Sequence, residues 1–372
     1  MDDPHPAHRF LVEPDWASGS RPTRHVGQGL DLSDLEGRIA PADVVRRAAR
    51  NVNPLSFARP SAWMLREAIS KAHGLEVSQV FPRASLAQLL APIMGAFVGP
   101  GDHVALAAPC RPEFIRQVLR VGARYVDIGR DHAWSVQAES FERLLSDGGL
   151  RAAILGRPDL PTGTLTPLIA VRQALHAGVL VIVDETALAY ADPSAGLPRS
   201  TTPKSDTALT LFEDESTPTQ GLVVVRRVPG LGAAQLVYAV AEPESVRRMW
   251  RIDPVAYISA PVAAGAWIAL DHTAHARRII VERCTTRAEL RTGIRGIDGY
   301  EVSATAGPSL LVQRPGISGS SLREALAQAG LIVAGSEHHA WRDGVAFGIP
   351  LAAALDRVVT SFQSAAEALA TG

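Results

Sequence analysis

Lysine is almost absent from this 372-residue chain. Of its 37 basic residues only Lys71 and Lys204 are lysine, and the others are arginine. A reaction that requires a lysine amine therefore has two candidates. The chain also has only two cysteines, Cys110 and Cys284, far apart in the sequence. This spacing disfavours a disulfide framework or a zinc knuckle, and it predicts a reduced, cytoplasmic protein.

An excess of basic charge is missing as well. The chain has 37 basic and 38 acidic residues, which disfavours a nucleic-acid partner. Its first residues, MDDPHPAHRF, lack the apolar core of a signal peptide. The longest apolar stretch, PVAYISAPVAAGAWIAL, is too short for a membrane span and contains prolines, so no membrane partner is expected.

What the chain has is a regular alternation of short apolar strands and amphipathic helices. HVALAA, RYVDIG, RAAILG, VLVIVDE and LVVVRR are separated by helical patterns, and TALTLF is a further predicted strand. This order predicts an α/β fold with a mostly parallel sheet, which binds ligands at the carboxyl ends of its strands. One long helix is predicted over 260–295. The expected divisions are an arm over 1–45 contributing to a small domain, a large α/β domain over 46–258 and a small α+β domain over 259–372.

Five segments carry a resemblance to a known family, and they occur in the family's order. They are FVGPGDHVALAAPCRPEF, ILGRPDLPTGTLTP, VLVIVDETALAY, GLGAAQLVYAVA and GYEVSATAGPSLLV. Over roughly residues 30–365 the chain resembles the fold-type-I enzymes dependent on pyridoxal 5′-phosphate (PLP), near histidinol-phosphate aminotransferase and threonine-phosphate decarboxylase. The resemblance implies a PLP-transferase fold of the aspartate aminotransferase type and a homodimer. It also implies that Asp184 holds the place of the aspartate that pairs with the cofactor's pyridinium nitrogen.

Most other family positions carry a different residue. The family's Schiff-base lysine falls at Arg227 or near Glu215, according to the register, and arginine stays protonated and cannot replace it. Six further family positions also carry a different residue here. This chain has Leu160 for the asparagine that bonds the cofactor's ring oxygen, Ala187 for a tyrosine, and Pro82 to Ser85 for the glycine-rich phosphate clamp. It has Arg111 for the aromatic that stacks on the ring, Gln235 for the phosphate-binding arginine, and a residue near Gly344 for the carboxylate-binding arginine. These losses predict that no cofactor is bound, with Asp184 as the contact if PLP binds at all. No metal is expected.

The predicted function is a PLP-independent enzyme of amino-acid-derived or specialised biosynthesis, acting on a small anionic or acyl substrate. Two alternatives stay open: a non-catalytic pseudoenzyme that binds a ligand or partner, and an unusual but functional PLP-dependent aminotransferase. The catalytic candidates are Asp184, Glu185 and Asp159. The substrate-binding candidates are Arg83, Arg111, Arg226, Arg227, Tyr238, His338, His339 and Arg342. Alternatively, Arg83, Arg111, Arg226 and Arg227 pair with the three acids and fill the cleft as a structural plug.

Overall fold

The computed structural model describes residues 29–53, 61–193, 197, 206–303, 305–335 and 344–371. Its helices are α1 (Asp43–Arg50), α2 (Trp63–His73), α3 (Leu86–Phe97), α4 (Pro112–Arg120), α5 (Ala138–Ser146), α6 (Leu168–His176), α7 (Leu188–Ala191), α8 (Pro243–Ile252), α9 (Ala260–Asp271), α10 (Ala274–Arg295), α11 (Gly319–Gln328) and α12 (Leu355–Thr371). Its strands are β1 (Leu30–Asp31), β2 (Val80–Arg83), β3 (His103–Leu106), β4 (Arg124–Asp127), β5 (Leu150–Gly156), β6 (Leu180–Asp184), β7 (Leu222–Arg227), β8 (Val237–Ala241), β9 (Glu301–Val302), β10 (Ser309–Gln313), β11 (Leu331–Ile332), β12 (Ala334–Gly335) and β13 (Gly344–Gly348). Within the described residues, none of the helices is both long and apolar enough to cross a membrane.

A seven-stranded sheet in the order β2-β8-β7-β6-β5-β3-β4 forms the centre of the molecule. Its inner strands are parallel, whereas β8 runs antiparallel to both β7 and β2. Alternate residues of β6 enter two different cores: Val181 and Val183 face one, and Ile182 faces the other. The sheet is thus covered on both faces, which is why its strands are continuous apolar runs. The predicted mostly parallel α/β sheet is confirmed.

A smaller antiparallel sheet, β12-β13-β10-β9, packs with α11 and α12 in the C-terminal part of the chain. The N-terminal segment joins this part, because β1 pairs in parallel with β11, Leu30 opposite Leu331. Gly348 at the end of β13 allows a close approach: its N–H donates to the Leu32 carbonyl at 2.8 Å. A Cβ atom at position 348 would lie 2.1 Å from the Asp34 carbonyl oxygen. These contacts fix the segment just before Glu36, while the three domain boundaries stay a prediction.

Two predicted elements are wrong. TALTLF is a 3-10 helix over Ala208–Glu213, because Thr207 caps it and its first N–H group, that of Ala208, donates to the Glu185 carboxylate at 2.6 Å. Local capping of this kind competes with a sheet ladder. The single helix over 260–295 is two helices, α9 and α10, interrupted at His272 and Thr273.

Candidate functional site

The carboxyl ends of the parallel strands bring the candidate acids and arginines together. Gly156 at the end of β5 lies opposite Asp184 at the end of β6, and Asp184 lies opposite Val225 of β7. Arg226 and Arg227 then complete β7. This edge is where open sheets of this type place their ligands.

Asp184 is paired with a buried arginine from a different element. Arg111 is the N-cap residue of α4, and its side-chain Nε atom lies 3.1 Å from Oδ2 of Asp184. Its other nitrogens donate to Thr186 Oγ1 at 3.0 Å and to Glu36 Oε1 at 2.9 Å. The Arg111 side chain is 5% exposed. Burial alone would lower the pKa of Arg111, but the carboxylates of Asp184 and Glu36 outweigh burial and raise it.

Glu36 is the second carboxylate of this cleft. Its Oε1 atom accepts the hydrogen bond from Arg111. Arg227 places its Nη1 atom 3.5 Å from Oε2 of Glu36 and donates a hydrogen bond to the backbone carbonyl of Glu36 at 2.6 Å. The amide of Gln235 donates to the same Oε2 atom, and Arg38 lies 3.6 Å away. Although burial would raise the pKa of Glu36, the positive charges of Arg111, Arg227 and Arg38 lower it from 4.5 to about 2.

Glu185 forms a separate, fully buried cluster. Its Oε2 atom lies 3.0 Å from Nη1 of Arg226 and accepts from the Thr207 hydroxyl at 2.6 Å. Its Oε1 atom accepts the Ala208 N–H group and lies 3.7 Å from Nε of Arg157. The carboxylate is therefore surrounded by donors and by two guanidinium groups.

The remaining described candidates make other contacts. Asp159 pairs with Arg130, and burial raises the pKa of Asp159 although Arg130 opposes this. Arg83 reaches Asp253, with nitrogens 3.3 Å from its Oδ2 atom and 2.7 Å from its carbonyl oxygen. Arg83 also stacks over Phe81 at 3.9 Å. These contacts turn it toward α8, away from the other arginines.

Tyr238 lies in β8, and its hydroxyl oxygen is 2.6 Å from Nε2 of His73. Its burial raises the pKa of the phenol to about 12. The last three candidates, His338, His339 and Arg342, lie outside the described residues. In the part of the chain that the structure describes, no three His, Cys, Asp or Glu side chains converge as metal ligands would.

Sequence reasoning missed Glu36, Arg130 and Arg157. Glu36 belongs to a turn in the predicted N-terminal arm, where no periodic pattern marks a site. Arg130 and Arg157 follow strands β4 and β5, so their position at the carboxyl edge was a usable signal.

The low pKa of Glu36 gives a prediction about stability and pH. Because the folded pKa is about 2 and the ordinary value is 4.5, the stabilisation by ionised Glu36 is complete above pH 4.5 and is lost as the pH falls toward 2. At neutral pH we expect Glu36→Gln to lower the free energy of unfolding by at most about 3 kcal/mol. The difference from wild type should shrink as the pH falls below 4.5, measured by denaturant unfolding across pH. A difference that does not depend on pH would contradict it.

The chain is similar to known aminotransferases in sequence and in fold. No protein-family model matches the chain. A histidinol-phosphate aminotransferase of Anaeromyxobacter sp. is 26% identical over 315 residues, 81% of each chain. The structure of histidinol-phosphate aminotransferase from Sinorhizobium meliloti in complex with pyridoxal 5′-phosphate superimposes with a TM-score of 0.76 at 17% identity, covering 98% of this chain and 97% of that one. A double mutant of Thermus thermophilus aspartate aminotransferase gives 0.74 at 16% identity, covering 95% and 100%.

These comparisons confirm the aspartate aminotransferase-type fold and contradict one prediction. The prediction that no cofactor is bound is wrong as a conclusion from missing motifs, because the relatives are aminotransferases and one structural neighbour is a complex with pyridoxal 5′-phosphate. The chain thus has the fold of the fold-type-I aminotransferases and is similar in sequence to histidinol-phosphate aminotransferases.

Proposed function

We propose that this chain binds a small acidic molecule in the cleft at the carboxyl ends of β5, β6 and β7, as a protein of the histidinol-phosphate aminotransferase kind. Pyridoxal 5′-phosphate is the first ligand to test. This choice is supported by the structural neighbour that is a complex with this cofactor. The observation that carries it is Asp184, a buried carboxylate at the end of a central strand that is paired with a cation from another element.

The residues of the cleft fit this cofactor at one place and not at others. Asp184 would pair with its pyridinium nitrogen, and the ring would supply an electron sink. However, Arg111 already pairs with that carboxylate. The cavity lined by Thr186, Tyr190 and Arg227 measures about 30 Å³, whereas pockets for small molecules usually measure several hundred Å³.

A lysine is also missing from this cleft among the described residues. Lys71, the lysine that the structure describes, lies on α2, is 65% exposed and pairs with Glu67 at 2.9 Å. A cofactor held by a lysine therefore does not fit the described residues, and no reaction step is assigned to it.

A second candidate function is a non-catalytic protein that binds a ligand. It is favoured by the pairing of the candidate acids: Asp184 contacts Arg111, Glu185 contacts Arg226 and Asp159 contacts Arg130. A general base must be free to take a proton from a substrate, and a carboxylate held by a guanidinium is a weak base.

The two candidates are separated by incubating the purified protein with pyridoxal 5′-phosphate, desalting it and recording its absorbance before and after borohydride. We expect retained absorbance that Asp184→Asn removes. A borohydride label on a lysine peptide, lost in Lys204→Ala but not in Lys71→Ala, would favour the enzyme. Retention without a lysine label would favour the non-catalytic protein. No retention, or equal retention by Asp184→Asn, would overturn the proposal.

We also propose that the chain forms a homodimer. This assembly is typical of the family, and two tryptophans stand exposed on helices that pack together: Trp63 on α2 is 51% exposed and Trp267 on α9 is 49% exposed. Exposed aromatic side chains are enriched at protein interfaces. Light scattering on the purified protein measures its mass in solution. A homodimer should have twice the 39.5 kDa mass of a single chain. A mass of one chain would overturn this assembly.

A further inference from the structure

The side chain of Glu36 sits in a ring of donors that come from separate elements. Arg111 belongs to the start of α4, Arg227 to the end of β7 and Gln235 to the connection before β8. All three point nitrogens at the same carboxylate. We propose that Arg111, Arg227 and Gln235 form a binding site for a small oxyanion, a carboxylate or a phosphate, which Glu36 occupies as an internal ligand.

The donors have the chemistry and the rigidity of an anion site. Arginine guanidinium groups bind carboxylates and phosphates with directed hydrogen bonds. Arg111 is 5% exposed and Arg227 is 12% exposed, so both are held in place by their surroundings. Thr186 and Asp184 fix the other nitrogens of Arg111, which leaves its Nη1 atom directed at the oxyanion.

Arg111, one of the three donors, can be reached from outside. Glu36 and Arg111 line an open groove of about 370 Å³, whose wall also includes Ser33, Pro112 and Leu160. This volume lies within the usual range for small-molecule sites. An oxyanion entering the groove therefore meets Arg111 once the Glu36 carboxylate has left.

The internal carboxylate has a large advantage over a free anion. It is attached to a segment held by the β1–β11 pairing and by Gly348, so it is present at a high effective concentration. For short tethers this concentration is on the order of millimolar or more. The wild-type protein should therefore bind simple anions weakly, and removal of the carboxylate should expose the site.

Glu36→Ala tests this directly. We expect acetate or inorganic phosphate, at about 50 mM, to raise its thermal midpoint by roughly 3 °C if the anion binds with a millimolar Kd. Sodium chloride at matched ionic strength should not do so, and wild type should respond much less. Glu36→Gln is the matched control, because its amide fills the same place and should abolish the response. A response to phosphate alone would identify a phosphate site, a response to acetate alone a carboxylate site, and a response to both a general oxyanion site.

Equal shifts in wild type, Glu36→Ala and Glu36→Gln would overturn the inference, since the anions would then act elsewhere. Glu244→Ala controls for general loss of a glutamate that pairs with arginines, here Arg247 and Arg248 at the surface. If Glu36→Ala is isolated unfolded, refolding with acetate against chloride gives the same decision, and no rescue counts against the site. The readout involves no pyridoxal 5′-phosphate, so its failure is separate from failure of the proposed function.

Discussion

Replacing Glu185 by alanine is expected to cost about 3–5 kcal/mol of the free energy of unfolding, the usual loss when one partner of a buried ion pair is removed. The Glu185 side chain is 0% exposed, and the guanidinium groups of Arg226 and Arg157 beside it are each 2% exposed. Without the carboxylate, Arg226 and the Thr207 hydroxyl would lose an acceptor inside the protein. Arg157 would lose a nearby negative charge but would keep its pairing with Asp206. Denaturant unfolding at neutral pH measures the loss.

Two variants show whether the loss arises from buried charge. Glu244→Ala removes an exposed glutamate that also pairs with arginines, and it should cost less than about 0.5 kcal/mol. Combining Glu185→Leu with Arg226→Met should recover part of the loss, because a buried ion pair can be replaced by apolar side chains of similar volume. A cost below about 1 kcal/mol for Glu185→Ala would mean that this pair does not form as described.

Gly163→Ala is expected to cost about 3–5 kcal/mol, from an unfavourable φ and from overpacking. Gly163 has a φ of 72°, and a Cβ atom there would lie 1.6 Å from Oγ1 and 2.5 Å from Cβ of Thr305. The carbonyl of Gly163 also accepts the Ala306 N–H at 2.8 Å, so the backbones are held together at this point. The clash therefore cannot be relieved by a side-chain rotation alone.

Gly74 provides a matched control for this substitution. Its φ is 69°, close to that of Gly163, but nothing lies within 4 Å of the position of a Cβ atom. Gly74→Ala should cost only about 1 kcal/mol, the conformational part of the penalty. Thermal and denaturant unfolding of the two variants should differ by the cost of the contact with Thr305, and equal losses would contradict the close approach.

The sequence predicted the sheet and the meeting of acids and arginines for one physical reason. Asp184, Glu185, Arg226 and Arg227 all end or follow apolar strands, and parallel strands bring such ends to one edge. The presence of Glu36 in the site could not be predicted in this way, because its position depends on long-range contacts of Leu30 with Leu331 and of Leu32 with Gly348. No local pattern encodes them. The prediction of a strand at TALTLF was wrong for a different reason. The β-branched and apolar residues of this segment suit a strand, but Thr207 and Glu185 accept hydrogen bonds from its first N–H groups and so favour a helical turn.

The pairing in the cleft also bears on how fast a ligand arrives. The carboxylates of Glu36, Asp184 and Glu185 face the guanidinium groups of Arg111, Arg226 and Arg227, so these six side chains have no net formal charge. Together these six side chains exert little net attraction on a charged molecule in solution, so they should contribute little to the ionic-strength dependence of its association rate. Removing the Glu36 carboxylate makes the cleft one unit more positive than in wild type, so the gain in anion association rate over wild type should be larger at low salt than at high salt.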